Sequence, residues 1–165
     1  MSNAPWAIGS HVSGYRLLRE FGQDAFGDVF LASNDSSQVV AIRALNPSLA
    51  AEESKVQEFC QQARLGMSVQ HPSVIKVLEV GQENNRPFFV TEHLGLPSLK
   101  YQVRFGFADR HRFKDHEAIR IIYQMAKTLE DLHGHRTYPV VHRGLAPANV
   151  LLASTGQPIL NGLQW

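Results

Sequence analysis

The period of the apolar residues changes once along this chain, around Leu94–Ser98, and that change limits the folds open to it. Before it, Tyr15–Glu20, Asp28–Ala32 and Gln38–Ala44 are short β-rich runs, the last two separated by the turn-forming Ser33–Ser37. Short runs of this kind between turn residues read as an antiparallel meander. One helix interrupts the strands: Val56, Phe59, Ala63 and Met67 recur at helical spacing over 51–67, with Glu52 and Glu53 where they favour the positive end of the helix dipole. His71-Pro72 ends it. Val74–Val80 and Pro87–Glu92 then read as two further strands about a polar turn, which predicts a sheet of about five strands.

Beyond Gly95 and Pro97 the pattern becomes helical. Ile119, Ile122, Ala126, Leu129 and Leu132 fall on one predicted face, with Asp115 placed to cap the helix and Gly134 to end it. The stretch Val140–Leu152 follows, carrying His142-Arg143 and a loop with Pro147 and Asn149, and its end Val150–Leu152 reads with Pro158–Leu160 as a small hairpin about Ser154-Thr-Gly156. The class is α+β, with 1–14 read as an N-terminal extension, 15–93 as a first lobe, 94–98 as a connector and 99–165 as a second, incomplete lobe.

Composition narrows the function. At 165 residues, 44% hydrophobic and 19% charged, the chain is long enough for about one globular domain. Its 16 Lys and Arg nearly balance 15 Asp and Glu, so no global field argues for nucleic acid or an anionic membrane, and no stretch approaches the length of a membrane helix. A single cysteine, Cys60, excludes an internal disulfide and fits a reducing, cytoplasmic compartment. Arg104, Arg110, Arg112 and Lys114 alternate with Phe105, Phe107 and Phe113, a pattern that suits RNA or phosphopeptides, but near-neutral charge favours a solvated loop with its rings turned inward. His133, His135 and His142 have no Cys or acid at ligand spacing and read as structural.

Four motifs in this order resemble the protein kinase family, nearest its serine/threonine members, including the eukaryotic-like ones of bacteria. Gly22-Gln-Asp24-Ala-Phe-Gly27-Asp-Val29 stands where kinases have G-x-G-x-x-G-x-V, and Val40-Ala-Ile-Arg43 stands for V-A-I-K. His71-Pro72 follows the first helix as it does in that family, and His142-Arg-Gly-Leu-Ala-Pro-Ala-Asn149 is similar to H-R-D-L-K-P-x-N. The resemblance implies a five-stranded antiparallel lobe with one helix and a truncated second lobe of helix, catalytic-loop equivalent and small hairpin. It further implies a nucleotide site of Gly22, Gly27, Val29, Ala41, Arg43, Thr91, Glu92, Leu94 and Leu151. Val29 and Ala41 would cover the purine on one side and Leu151 on the other, with the backbone of Glu92 and Leu94 at its edge and Thr91 behind it.

The departures from the family pattern are chemical. A kinase loop aspartate accepts the substrate hydroxyl proton, and Gly144 has no side chain to do so; the neighbouring phosphate-contacting lysine is Ala146. His142, Arg143 and Asn149 are retained. Counting on from Asn149 places the metal-binding aspartate at Gly162, which leaves Asn149 as a weak magnesium ligand. Arg43 replaces the strand lysine, Gln62 the helix glutamate that pairs with it, and Asp24 the middle glycine of the phosphate loop. Gln62, Arg43, His142 and Leu163 would couple the lobes, with Gly66 standing where a larger apolar residue is expected.

Three readings follow. The leading expectation is a catalytically inactive kinase-like domain, a pseudokinase and no enzyme, serving as a binding, scaffold or allosteric module; it has no metal and either no cofactor or ATP or ADP held without magnesium. The alternatives are a serine/threonine kinase with atypical residues and a fragment of a longer kinase-like protein. An apolar helix face at 119–132 without covering helices implies a protein partner, the rest of the large lobe, or self-association.

Overall fold

The structure, a computed structural model, describes residues 6–23, 26–105, 113–134 and 139–162. The chain divides into two compact units, one running to Ser68 and adding Lys76–His93, the other made of Val69–Ile75 and the chain from Leu94 onward.

The first unit is one antiparallel sheet with a helix. Its strands are β1 (His11–Val12), β2 (Tyr15–Gln23), β3 (Gly27–Ser33), β4 (Val39–Leu45), β5 (Val77–Glu83) and β6 (Arg86–Glu92), ordered β1-β2-β3-β4-β6-β5. To the five expected strands the structure adds the two-residue β1. Ser13 and Gly14 both lie in the left-handed region, which is what a two-residue turn between right-twisted strands requires. The sheet curls until its two ends meet. The Ser13 backbone N–H donates to Glu83 Oε2 at 2.7 Å, its hydroxyl to Glu79 Oε1 at 2.9 Å, and Tyr15 Oη to Glu79 Oε2 at 3.1 Å.

Alternation along the strands assigns the two faces. Phe30, Ala32, Val40, Ile42, Ala44, Phe88 and Val90 turn to one side and form the core with Val12, Leu17 and Trp6. Trp6 is a wedge from the N-terminal segment, its ring centroid 5.7 Å from that of Phe88 and 5.9 Å from that of Phe30. On the other side lies α1 (Glu53–Ser68), whose Phe59 packs on Phe89 at 5.2 Å. Its buried stripe is Phe59, Ala63 and Gly66; the expected Met67 is exposed, because the stripe advances by seven residues from Phe59, two turns of helix, rather than eight.

The second unit holds α2 (Leu99–Phe105), α3 (Asp115–His133) and the hairpin β7 (Val150–Leu152) with β8 (Pro158–Leu160). Its core is Val69, Val74, Leu132, Val140, Val150 and Leu160, with Leu99, Met125 and Leu129 against it. The strand expected from Val74 begins only at Val77. Val74 instead bridges Leu160, and the Ile75 N–H donates to Leu160 O at 2.9 Å, so Val69–Ile75 is held by the hairpin. The expected loop after the connector is in part the helix α2. Phe105 is 48% exposed rather than turned inward, stacked with Tyr101 at 4.7 Å and capped by Arg104. Phe107, Arg110, Arg112 and His135 lie outside the described residues.

Candidate functional site

Strand register decides which of the expected residues share a surface. Val29 is opposite Arg43, Leu31 opposite Ala41, Ala41 opposite Thr91 and Arg43 opposite Phe89. Directly opposed residues lie on the same face within about 5 Å. Val29, Ala41, Arg43 and Thr91 therefore occupy one half-buried patch on the face away from the core. The Thr91 hydroxyl points to Ala41 O at 3.5 Å. The Arg43 guanidinium lies 5.6 Å from the Phe89 ring centroid, a cation over the ring that itself packs on Phe59 of α1. Gln62, three residues after Phe59, is half-buried on the same helix and donates to Glu58 Oε1 at 3.3 Å.

Backbone groups at the strand end are partly committed. The Glu92 N–H donates to Lys76 O at 3.1 Å, and the Glu92 carboxylate accepts from the Lys76 N–H at 2.9 Å. A contact from Glu92 to a purine edge thus falls to its carbonyl. Gly22 pairs with Val29 and has open space where a Cβ would point, whereas Gly27 is jammed: a Cβ there would stand 1.9 Å from Ala44 O and 2.7 Å from Asn46 N. Gly27 is therefore explained by the close crossing of β3 and β4. Asp24 lies outside the described residues.

The second unit gathers the loop residues. His142 is buried, and its Nε2–H donates to Asn161 O at 3.1 Å. Burial pushes its imidazole below the usual value, against the opposing effect of its backbone hydrogen bonds, so the ring is neutral near pH 7. Arg143 adopts a left-handed backbone, sparsely populated for a residue with a Cβ. Asn149 ties the loop: its Nδ2 donates to Gly144 O at 2.8 Å and its carbonyl accepts from Asn161 N–H at 2.9 Å. Gly162, also left-handed, faces it, since a Cβ there would lie 3.2 Å from Asn149 Oδ1. Gly144, Asn149 and Gly162 are thus brought together, while Ala146 is exposed where the short turn Pro147–Asn149 begins. Leu151, half-buried in β7, bridges Ser98, and Leu94 is exposed. Leu163 lies outside the described residues.

This donor set does not fit magnesium. The ion needs near-octahedral hard oxygen and usually a carboxylate. Here Asn149 supplies one amide oxygen and Gly162 none, and among the described residues no three His, Cys, Asp or Glu side chains cluster. Nor is any described helix long and apolar enough to cross a membrane.

The group that sequence reasoning missed lies behind the patch. Arg86 is 6% exposed, and its guanidinium donates through Nε to Leu45 O at 2.7 Å, pairs with Asp28 and stands 5.1 Å from the Trp6 ring centroid. No local signal marks a buried arginine at the edge of a polar turn.

Residues 15–161 match the protein kinase domain. The chain is 29% identical over 150 residues to the carbon catabolite-derepressing protein kinase of Saccharomyces cerevisiae, covering 88% of this chain and 22% of that protein. It is 26% identical over 151 residues to the serine/threonine-protein kinase PrkC of Bacillus subtilis, covering 90% and 22%. The Mycobacterium tuberculosis PknI kinase domain has the same fold, with a TM-score of 0.76 at 22% identity, over 98% of this chain and 63% of that domain. The chain thus spans less than a quarter of these curated relatives and about two thirds of a kinase domain. The expectation of a chain that is no enzyme is overturned here: its relatives are named serine/threonine protein kinases, which points to an enzyme of which this chain spans a part. With its motifs, its sheet and the match over 15–161 in agreement, the chain belongs to the protein kinase domain family.

Proposed function

We propose that this chain is the nucleotide-holding part of a serine/threonine-kinase-type enzyme domain, taking ATP or ADP without requiring magnesium for binding. The observation that supports this reading is the patch of Val29, Ala41, Arg43 and Thr91, held on one face of the sheet by strand register while the apolar core occupies the other. Val29 and Ala41 offer apolar contact to a purine, and the Glu92 carbonyl accepts from its exocyclic amine. Arg43 is always protonated and supplies positive charge to phosphate oxygens.

In an enzyme of this type the nucleophilic hydroxyl loses its proton as the γ-phosphoryl leaves ADP. Gly144 and Gly162 carry no carboxylate, so the proton acceptor and any cation ligands of the whole enzyme would come from other positions. General-base help is worth about 10² to 10⁴ in rate, so its displacement from Gly144 predicts slow transfer. A reducing, cytoplasmic setting suits the single thiol, Cys60.

Thermal unfolding of the purified chain with ATP or ADP, each with magnesium and then with a chelator, tests the reading. Binding to the folded state at 100 times Kd stabilises by about 2.7 kcal/mol. A rise in Tm that survives the chelator is expected. No rise under either condition would overturn the reading, and a rise that needs magnesium would overturn its metal independence.

A further inference from the structure

We infer that Asn161-Gly162 is a modification site, at which the Asn161 carboxamide deamidates through a cyclic imide and leaves a carboxylate on the residue that Asn149 and His142 both hold. The reaction needs only water and does not depend on nucleotide binding.

The attacking group in such a reaction is the backbone nitrogen of the next residue, and here that residue is glycine. Gly162 has no Cβ to shield its nitrogen, and its left-handed φ of 66° is one that a side chain would strain. The geometry brings the partners together. The Gly162 N–H donates to Asn161 Oδ1 at 2.8 Å, which folds the carboxamide back over the nitrogen and polarises its carbon. A carbonyl bond is about 1.2 Å long, so Cγ lies within about 4 Å of that nitrogen, near the separation of about 3 to 3.5 Å that characterises reactive pairs.

The main chain holds this arrangement from both sides. The Asn161 N–H donates to Asn149 O at 2.9 Å, and Asn161 O accepts from His142 Nε2–H at 3.1 Å. Asn161 and Gly162 are each half-buried, so water and solvent base reach them.

In the first step solvent base takes the Gly162 N–H proton, the nitrogen bonds to Asn161 Cγ, the Cγ–Nδ2 bond breaks, and ammonia leaves with an equivalent proton. Water then opens the ring, so the sum is one water consumed and one ammonia released, without redox change. Opening at Cγ leaves aspartate in an unaltered backbone. Opening at the main-chain carbonyl leaves isoaspartate: the backbone then runs through Cγ, and the oxygen that accepts from His142 becomes part of a free carboxylate. By either route the loop gains the negative charge that Gly144 and Gly162 lack.

Mass spectrometry tests the inference on the whole chain. Folded chain and chain unfolded in guanidinium chloride are incubated at one pH and temperature, and the tryptic peptide beginning at Gly144, which holds both Asn149 and Asn161, is fragmented at intervals. Asn84 and Asn85, exposed and left-handed but not followed by glycine, serve as controls in the same digest. The expected result is a gain of about 1 Da at Asn161 and not at Asn149, Asn84 or Asn85, with a rate in the folded chain within about tenfold of that in the unfolded one. Asn161→Gln, which must close a larger ring, should lose the gain. A folded-chain rate more than about tenfold below the unfolded one would show that the fold blocks the attack and overturns the inference. An equal gain at Asn84 or Asn85, or one that persists in Asn161→Gln, overturns it as well.

Discussion

Gly27 shows how one residue can answer to packing where its motif suggests a ligand. With a Cβ placed 1.9 Å from a backbone oxygen, Gly27→Ala must push β3 off β4, and we expect a loss of about 3 kcal/mol, at the upper end of overpacking costs, in denaturant unfolding. Gly22→Ala meets open space but a backbone φ of +159° that a Cβ disfavours, so its cost in the same measurement, about 1 kcal/mol, should come from backbone strain rather than from a clash. His142 contributes to the pH response. Its folded value is depressed by burial, so the unfolded chain binds the proton more readily, and stability must fall as pH drops below the ordinary imidazole value of 6.5. His93, depressed by burial and by Arg19, adds to the same window. Tm measured from pH 8 to 5 should decline, and His142→Asn should flatten the decline. For Asp28, burial pushes upward but the bonds from Arg86 and Gln23 outweigh it, so its contribution is lost only below the usual 3.8. Of these residues the glycine and the histidine were legible as motif members. Asp28 and Arg86 were not, because they meet across 58 positions of sequence.

At the scale of elements, α3 was foreseen in extent but not in orientation. The buried positions are Ile121, Thr128 and Leu132, with Met125 and Leu129 beside them, whereas Ile119 and Ile122, placed by spacing on one face with Leu129 and Leu132, are each 66% exposed. The helix carries two apolar stripes, and periodicity cannot say which meets the core. Glu replacing both Ile119 and Ile122 should leave stability in denaturant unfolding within about 0.5 kcal/mol, the usual range for surface changes. The cap differs too. Lys114, not Asp115, is the flanking residue, and its N–H donates to Glu117 Oε2 at 2.8 Å. Asp115 is already inside the helix, where its charge favours the dipole. Glu117→Ala should cost about 1 kcal/mol by denaturant titration. α2 escaped notice because a seven-residue helix leaving Tyr101, Val103 and Phe105 exposed has no amphipathic period.

At the scale of the whole molecule, the chain order and the unit order differ. Val69–Ile75 precedes β5 in sequence yet packs in the second unit, since its backbone is hydrogen-bonded to β8. The N-terminal segment belongs to the first unit: Trp6 fills the sheet core, and Trp6→Ala should cost about 3 to 5 kcal/mol in unfolding, the range for truncating a buried aromatic. The sequence by itself determined the strand and helix periods, the change near Leu94, the family and the missing carboxylates at Gly144 and Gly162, because these depend on residue type and local spacing. Only the tertiary structure decided the sixth strand, the meeting of β2 and β5 at Glu79, the exposed stripe of α3 and the burial of Arg86. Each depends on which distant residues share a surface, and local periodicity carries no information about that.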